Sequence, residues 1–255
     1  MRLTPLLLAL VAVPAVAVEQ PLSFTVTGPT LAEGRHEGVV GFAPRFGRPG
    51  EYLRVETLTG FGYGLTQSLQ LQVLMAVTIE TIGSAQKNID GGAQVCLRWN
   101  PLASRTKLLG LNLVATAGVS PDSVFVEARL GLEKWVGDFL FVINATVDYR
   151  ARRDGAEAPN VHTEQTGGIV YRLPSRFTTG FEVRSRIGFD RGEYYGAAFF
   201  AGPVFGWRND ALWLSLGLLP QVAAQKAASQ VGNGEALELR DNERVTLTLK
   251  FGAEF

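Results

Sequence analysis

The chain has 255 residues, equal numbers of basic and acidic side chains and 46% hydrophobic residues, which is enough sequence for one large domain. The neutral balance argues against a nucleic-acid-binding protein, because such proteins present a basic face to phosphates. The single cysteine, Cys96, excludes an internal disulfide, so a secreted form of the chain would need another source of stability.

Residues 1–17 have the features of a cleaved secretory signal. Arg2 supplies a positive charge, an apolar stretch follows, and the small residues Ala15-Val16-Ala17 suit signal peptidase, so we expect cleavage after Ala17. A transmembrane anchor is the alternative, but the apolar run is short and Pro14 interrupts it.

From residue 35 onward, hydrophobic and polar residues alternate along most of the chain. A period of two predicts strands with one apolar and one polar face. These runs exceed the roughly 5–6 residues usual in soluble strands and reach the roughly 9–11 that cross a bilayer at a tilt. The clearest runs are SLQLQVLMAVTIE (68–80), VFVEARLGLE (124–133), DFLFVINATVDYR (138–150), FTTGFEVRSRIGFD (177–190), ALWLSLGLLP (211–220) and ERVTLTLKFGAEF (243–255).

Eleven such strands can be counted from Tyr52 to Phe255, whereas a closed antiparallel barrel needs an even number. The stretch from Arg35 to Phe46 is the best candidate for the missing first strand. Short turns alternate with longer polar loops, such as GSAQKNIDG and RARRDGAEAPN, which is typical of outer-membrane barrels. We predict an all-β, antiparallel up-and-down transmembrane β-barrel of about 12 strands, with about 10 as the alternative. The predicted division is a signal peptide (1–17), a periplasmic or plug segment (18–34) and the barrel (35–255).

The same alternation could build a large soluble β-sandwich, whose polar faces would meet water. The polar faces here carry both signs of charge with more Arg than Lys, and Arg suits bidentate pairing in a confined space. The apolar faces carry almost no charge, as lipid contact requires, because a charge at the midplane costs about 2–4 kcal/mol. We therefore favour a barrel in the bacterial outer membrane. The predicted lumen-lining residues are Arg54, Glu56, Arg98, Glu127, Arg129, Asp148, Glu182, Arg184, Arg186 and Lys250.

Aromatic residues cluster near the ends of the predicted strands, where rings suit the membrane–water interface. Barrel closure would also pair every strand edge and so supply stability without disulfides. The predicted interface rings are Phe61, Tyr63, Trp99, Trp135, Phe139, Phe177, Phe205 and Trp207.

Three stretches resemble an uncharacterised group of proteobacterial outer-membrane barrels, which is similar to the transporters named after phenol-degradation operons. In the first stretch, Gly62 stands where the family has an acidic residue, and Gln67-Ser68 replaces its Asp-Arg. The resemblance implies an outer-membrane location and suggests transport, without a substrate or catalytic residues. It also implies that the barrel-assembly machinery reads the last strand, which ends in Phe255. The stretches are YGLTQSLQLQV (63–73), GPVFGWRNDALWLSLGLLPQV (202–222) and LRDNERVTLTLKFGAEF (239–255).

Catalytic and metal sites are not predicted, and we expect no enzyme activity and no cofactor. His162 shares a strand face with Glu164, a pair that could orient a base, but no G-x-S-x-G nucleophile context accompanies it. A polar histidine at a loop end is the favoured interpretation. His, Cys and clustered acids are too few for a metal site. Cys96 is interpreted as a small buried filler, with a reactive thiol as the alternative.

The charged lumen admits two interpretations. Opposed Arg and Glu side chains could line a pore that orients solutes, or they could form a salt-bridged plug that seals the barrel. Residues 18–34 could also fold inward as a plug. We favour a monomeric pore or transporter for a small solute, with a sealed structural or surface-interaction barrel as the alternative. The expected partners are outer-membrane lipid, the barrel-assembly machinery and a small-molecule solute, with no nucleic acid.

Overall fold

The computed structural model describes residues 21–47, 52–82, 86–104, 107–155, 159–190, 193–226, 237 and 242–255. In this part of the chain, twelve antiparallel strands form one closed barrel, which confirms the predicted fold class. No helix among these residues is long and apolar enough to cross a membrane. The strands are β1 (His36–Phe46), β2 (Tyr52–Thr66), β3 (Leu69–Ile82), β4 (Gln86–Leu102), β5 (Gly110–Val119), β6 (Ser123–Val136), β7 (Phe139–Arg152), β8 (Asn160–Arg172), β9 (Phe177–Asp190), β10 (Glu193–Arg208), β11 (Leu212–Lys226) and β12 (Val245–Glu254).

The barrel closes between β1 and β12. The predicted strand from Arg35 to Phe46 therefore exists as β1 and brings the eleven counted strands to twelve. The register runs from Glu37 opposite Glu254 to Phe46 opposite Val245. Beyond the last strand residue, the amide N–H of Phe255 donates to the carbonyl oxygen of His36 at 3.0 Å, and the reverse bond has the same length. The terminal aromatic residue is therefore part of the seam.

The two ends of the barrel differ in their connections. The terminal rim is the end where β1 begins and β12 ends, and the loop rim is the opposite end. Turns at the terminal rim are short except for 103–109, while the longest connection, 227–244, lies at the loop rim. The predicted loop GSAQKNIDG is wrong in its extent, because β4 already begins at Gln86 opposite Ile82 of β3.

The distribution of polar and apolar residues between the surface and the interior is the reverse of that in a soluble protein. Outward positions are exposed and apolar, with Met75 66% and Ile143 60% exposed. Inward positions hold polar side chains that are fully buried, including Gln70, Glu182 and Glu243, each 0% exposed. A water-soluble sandwich would bury its apolar faces and expose its polar ones. The exposed apolar band is far larger than the patches usual on soluble monomers.

The predicted interface rings occupy outward positions except for Trp135. Register places the odd-numbered residues of β6 inward, so Trp135 packs against the buried cluster that contains Leu140 and Val170. The guanidinium of Arg172 lies 4.3 Å from the centre of its ring. The alternation of β6 already assigned Trp135 to the polar face, and its position near a strand end was misleading.

Candidate functional site

A chain segment without strand structure lies inside the barrel. It comprises residues 21–34 and is called the inner segment below; residues 1–20, which include the predicted signal peptide, lie outside the described residues. Leu22 and Leu31 are 0% exposed, and Ser23, Thr25 and Thr27 are buried as well. The main chain of this segment joins the sheet only at its end, where the Gly34 N–H donates to the Gly64 carbonyl oxygen of β2 at 2.9 Å. Its buried polar groups therefore need partners among the inward side chains.

Glu182 of β9 is the main anchor of the inner segment. Its carboxylate accepts hydrogen bonds from the amide N–H groups of Ser23 (2.9 Å), Phe24 (2.9 Å) and Thr25 (2.6 Å). An isolated buried carboxylate would be costly, and three main-chain donors compensate its charge with strong, charge-assisted bonds. The predicted lumen residue Glu182 therefore holds a chain segment.

Other inward side chains hold the rest of the segment in the same way. Glu133 accepts a hydrogen bond from Gly28 N–H at 2.6 Å, and Gln70 accepts one from Leu31 N–H at 3.1 Å. Arginine and asparagine side chains donate to the carbonyl groups. These contacts are Arg98 to Thr27 (2.8 Å) and Pro29 (3.4 Å), Arg129 to Phe24 (3.0 Å), Asn112 to Thr27 (3.2 Å) and Asn144 to Val26 (3.2 Å).

Apolar contacts and small residues complete the seat of the inner segment. Leu22 belongs to the buried cluster of β7, β8 and β10 side chains, and Phe24 packs beside Phe200, with the Arg184 guanidinium 3.9 Å from its ring centre. Gly217 makes room for the segment, because a Cβ atom there would lie 1.7 Å from Ser23 Oγ and 2.9 Å from Ser23 Cβ. The sheet is thus shaped to receive this segment.

Ion pairs within and between strands fill a second part of the interior. Arg54 pairs with Glu56 at 2.6 Å, and Arg184 pairs with Glu164 at 2.7 Å. Arg186 is 3.7 Å from Glu164 and donates to Asn242 at 3.5 Å. Arg45 joins Glu56 to Glu243, which lies 3.5 Å away and belongs to the connection before β12. The network therefore ties the end of that connection to the barrel wall.

Glu243 makes the network sensitive to acid. Burial alone would raise the pKa of this carboxyl, but the guanidinium groups of Arg45, Arg184 and Arg186 outweigh burial and lower the pKa to about 2, from an ordinary value of 4.5. A lowered folded-state pKa stabilises the fold above the unfolded value, and this contribution is lost as the pH falls through the folded value.

We therefore expect Glu243→Gln to reduce the free energy of unfolding at pH 6 by on the order of 3 kcal/mol. The difference between wild type and variant should shrink as the pH falls from about 4.5 to about 2. Denaturant unfolding in detergent, followed by tryptophan fluorescence, would measure it. The exposed carboxylate Glu193 offers a matched control, Glu193→Gln, with no such dependence. A wild-type-to-variant difference that is constant with pH would contradict the assignment.

A cavity of about 480 Å³ occupies the remaining interior. Ser23, Phe24 and Val26 of the inner segment lie on one side of it, and its lining extends to Asp90 and Ser120 near the loop rim. The side chains on its wall are both charged and aliphatic. The arrangement is a chamber that reaches from the loop rim to the inner segment.

All ten predicted lumen residues lie on inward positions, but they have different contacts. Arg98, Arg129 and Glu182 bind the inner segment, while Arg54, Glu56, Arg184 and Arg186 belong to the ion-pair network. Glu127 pairs with Arg129 at 3.2 Å, and Asp148 lies 3.7 Å from His162. Lys250 lines the cavity. Sequence reasoning missed further site residues that share the same inward parity, which was the available signal; they are Arg45, Gln70, Asn112, Glu133, Asn144 and Glu164. It also missed Glu243, which lies in the connection before β12 and carries no parity signal.

The histidine and cysteine positions have simple surroundings. The pairing of His162 with Glu164, which was the less favoured interpretation, is not observed: Glu164 is bound to Arg184, and His162 Nδ1 lies 3.7 Å from Asp148. Cys96 is a buried free thiol that lines the cavity. Among the described residues, no group of three or more His, Cys, Asp or Glu side chains could hold a metal ion.

A family model described as a family of unknown function (DUF6662) matches residues 14–255. The chain belongs to this family. The predicted membership of an uncharacterised family is confirmed, and the likeness to phenol-degradation transporters stays a prediction. No curated protein matches the sequence significantly.

Solved structures share the DUF6662 chain's barrel fold at low sequence identity. The COG4313 outer membrane channel from Pseudomonas putida F1 superimposes with a TM-score of 0.62, 11% identity and coverage of 89% of this chain and 98% of that one. The KdgM porin in complex with disordered oligogalacturonate superimposes with a TM-score of 0.52 and 8% identity, covering 85% of this chain and 99% of that one. The β domain of the Bordetella autotransporter BrkA superimposes with a TM-score of 0.52 and 11% identity, covering 88% of this chain and 100% of that one. At these identities the likeness concerns the fold alone.

Proposed function

We propose that this DUF6662 protein is an outer-membrane channel whose inner segment closes the end of the barrel opposite the loop rim. The outward apolar band, with side chains such as Met75 and Ile143 well exposed, supports contact with lipid. In that setting closed strand pairing satisfies every main-chain group. Phe255 at the β1–β12 seam suits recognition of the last strand by the assembly machinery.

The chamber that ends at the inner segment is the observation that carries the channel proposal. A solute enters the cavity of about 480 Å³ from the loop rim and meets Ser23, Phe24 and Val26. Passage to the periplasm requires the segment to shift. Before Gly34, which bonds to β2 through its main chain, the segment is held by side-chain hydrogen bonds, so it can move without opening the barrel.

A sealed structural barrel is the second candidate function, and one observation favours it. The inner segment is bound along most of its length, from Ser23 at Glu182 to Leu31 at Gln70. The ion-pair network fills further space beside it. A barrel that never opens would carry the same contacts.

Deletion of residues 18–34 tests the channel proposal. We expect the deletion variant to show steady ohmic conductance steps in planar bilayers and the intact mature protein to show rare or smaller openings, because the deletion removes the chain between the cavity and the terminal rim. Heat-modifiable gel mobility would establish that both proteins are folded. A folded deletion variant without conductance would support the sealed barrel. Intact protein that conducts as strongly as the variant would show that the inner segment does not close the path.

A further inference from the structure

We propose that the cavity binds a short aliphatic monocarboxylate, with the carboxylate at Lys250 and the hydrocarbon chain along Leu58, Leu74 and Val114. This inference names the solute class of the channel and so rests on the proposed function. It comes from two properties of the cavity wall. One is a cation that has no hydrogen bond or ion pair within the described part of the chain, and the other is a group of aliphatic side chains on strands that otherwise point polar groups inward.

Lys250 differs from the arginines around the cavity. Arg54 pairs with Glu56 at 2.6 Å, Arg129 pairs with Glu127 at 3.2 Å, and Arg98 donates to the carbonyl of Thr27 at 2.8 Å. Among the residues that the structure describes, no hydrogen bond or ion pair reaches the Lys250 ammonium, which lines the cavity. The Glu182 carboxylate attracts the Lys250 charge but is already bonded to three amide groups of the inner segment, and a partly buried ammonium without a directly bonded partner is unfavourable. An anionic group in the cavity would supply the missing charge.

The carboxylates of the cavity do not compete for this role. Glu127 and Glu56 are bound to arginines. Glu37 accepts a hydrogen bond from Trp213 Nε1 at 2.8 Å and is also bonded by Gln70 and Gln72 at 3.4 Å. Asp90 lies near the loop rim, and the guanidinium of Arg150 lies over the Phe125 ring, 5.3 Å from its centre. Among the described residues, Lys250 is therefore the cation of the cavity wall whose charged group has no hydrogen bond, ion pair or ring contact. A single charge favours a monoanion over a dianion or a cation.

The aliphatic wall and the Lys250 side chain line the same cavity. Leu74 and Val114 are inward, 7% and 8% exposed, and both line the cavity with Leu58. Gly41 separates Lys250 from Leu58, because a Cβ atom at Gly41 would lie 3.9 Å from Lys250 Cγ and 3.5 Å from Leu58 Cβ. An anionic group at the ammonium can therefore continue into an apolar chain. The cavity volume of about 480 Å³ is within the range of small-molecule sites.

The test measures equilibrium binding of hexanoate to refolded mature protein by titration calorimetry. Hexanamide, which lacks the charge, and acetate, which lacks the chain, are the matched probes. We expect saturable binding of hexanoate, with hexanamide and acetate each weaker by about tenfold or more, the usual scale for losing a charge-assisted hydrogen bond or several buried CH₂ groups. Equal binding of hexanamide or acetate would overturn the proposal, as would absence of hexanoate binding.

Variants locate the site. Lys250→Gln should weaken hexanoate binding by about tenfold or more and leave hexanamide unchanged, while Lys250→Arg should retain most of the affinity. Leu58→Asn should weaken both six-carbon probes. Arg152→Gln removes a positive charge at the loop rim, in an exposed pair with Asp154, and should change neither. Hexanoate affinity that is insensitive to Lys250→Gln, in protein folded by gel mobility, would overturn the assignment.

Binding and conduction can fail separately. If hexanoate binds as expected and the 18–34 deletion variant does not conduct, the site assignment stands and the channel proposal fails. If the deletion variant conducts and hexanoate does not bind, the channel stands and its solute class is wrong.

Discussion

Replacing Gly217 with alanine is expected to open the channel while the barrel stays folded. The added Cβ atom would lie 2.9 Å from Ser23 Cβ, closer still to Ser23 Oγ, and 2.9 Å from Thr248 Oγ1 of β12. The threonine hydroxyl can rotate, whereas the contact with Ser23 Cβ requires the inner segment to move away from β11. Overpacking of this kind costs about 1–3 kcal/mol. If that cost falls on the closed state alone, the ratio of open to closed channels rises by about 5- to 150-fold. Single-channel recordings would measure the change in open probability.

Two further variants separate displacement of the segment from general damage. Gly41→Ala is the matched control, because a Cβ atom at this inward glycine meets only Leu58 and Lys250 at ordinary contact distances; its open probability should stay that of wild type. Ser23→Gly in the Gly217→Ala background removes the clashing side chain and should restore much of the closure. A folded Gly217→Ala variant with the open probability of wild type would show that the inner segment can shift without opening the channel.

Alternation along the strands was sufficient to predict the barrel. In runs such as 68–80 and 124–133, each residue's parity assigns it to lipid or to the interior, because a strand has a period of two. This signal is repeated on many strands, so single exceptions do not change the fold. The extent of β4 was missed because its first residues, from Gln86 to Asp90, are mostly polar and read as a loop.

Trp135 shows that parity is a better guide than residue type. Aromatic residues near strand ends suggested a ring at the membrane interface, whereas the alternation of β6 placed this side chain inward. Where propensity and period disagree within a regular strand, the period decides, because the pleat fixes the direction of every side chain.

The contacts of the inward residues could not be predicted from the sequence. Parity shows that Glu133 and Glu182 face inward, but not that both bind amide groups of a segment far away in the chain. The inner segment bonds to the sheet main chain only at Gly34, so the position of the rest depends on the three-dimensional arrangement of many strands. Some side chains predicted to line a charged pore are thus anchors of the inner segment. Reversing the charge of Glu182 or Arg129 would displace the inner segment before it changed ion selectivity.

The contacts also explain why closure and stability are separable in this fold. The twelve strands are held by main-chain pairing around the closed barrel, whereas the inner segment is held by side chains that project from that barrel. Loss of one anchor removes hydrogen bonds worth about 1.5–3 kcal/mol each where the partner is charged and leaves every strand pair in place. A segment with this type of attachment can be released locally.

A disulfide between the inner segment and the barrel is expected to hold the channel closed reversibly. Ser23 Oγ and Thr248 Oγ1 are 2.7 Å apart, with the threonine hydroxyl donating, so cysteines at these two positions bring their sulfur atoms together. The pair is introduced with Cys96→Ala, which removes the natural thiol. Oxidised protein should show no solute flux in liposome-swelling assays, and addition of a reductant should restore the flux of the Cys96→Ala parent.

This disulfide distinguishes solute flux that requires movement of the inner segment from solute flux around the segment. Each single-cysteine variant, which cannot form the bond, should keep the parental flux under oxidising conditions. Flux that persists in the fully oxidised protein with both new cysteines would mean that solute bypasses the inner segment. The proposed closure at the terminal rim would then be wrong. A parent without flux in either redox state would instead favour the sealed barrel. Combining this disulfide with Gly217→Ala sharpens the comparison, because a displaced segment leaves Ser23 too far from Thr248 to form the bond.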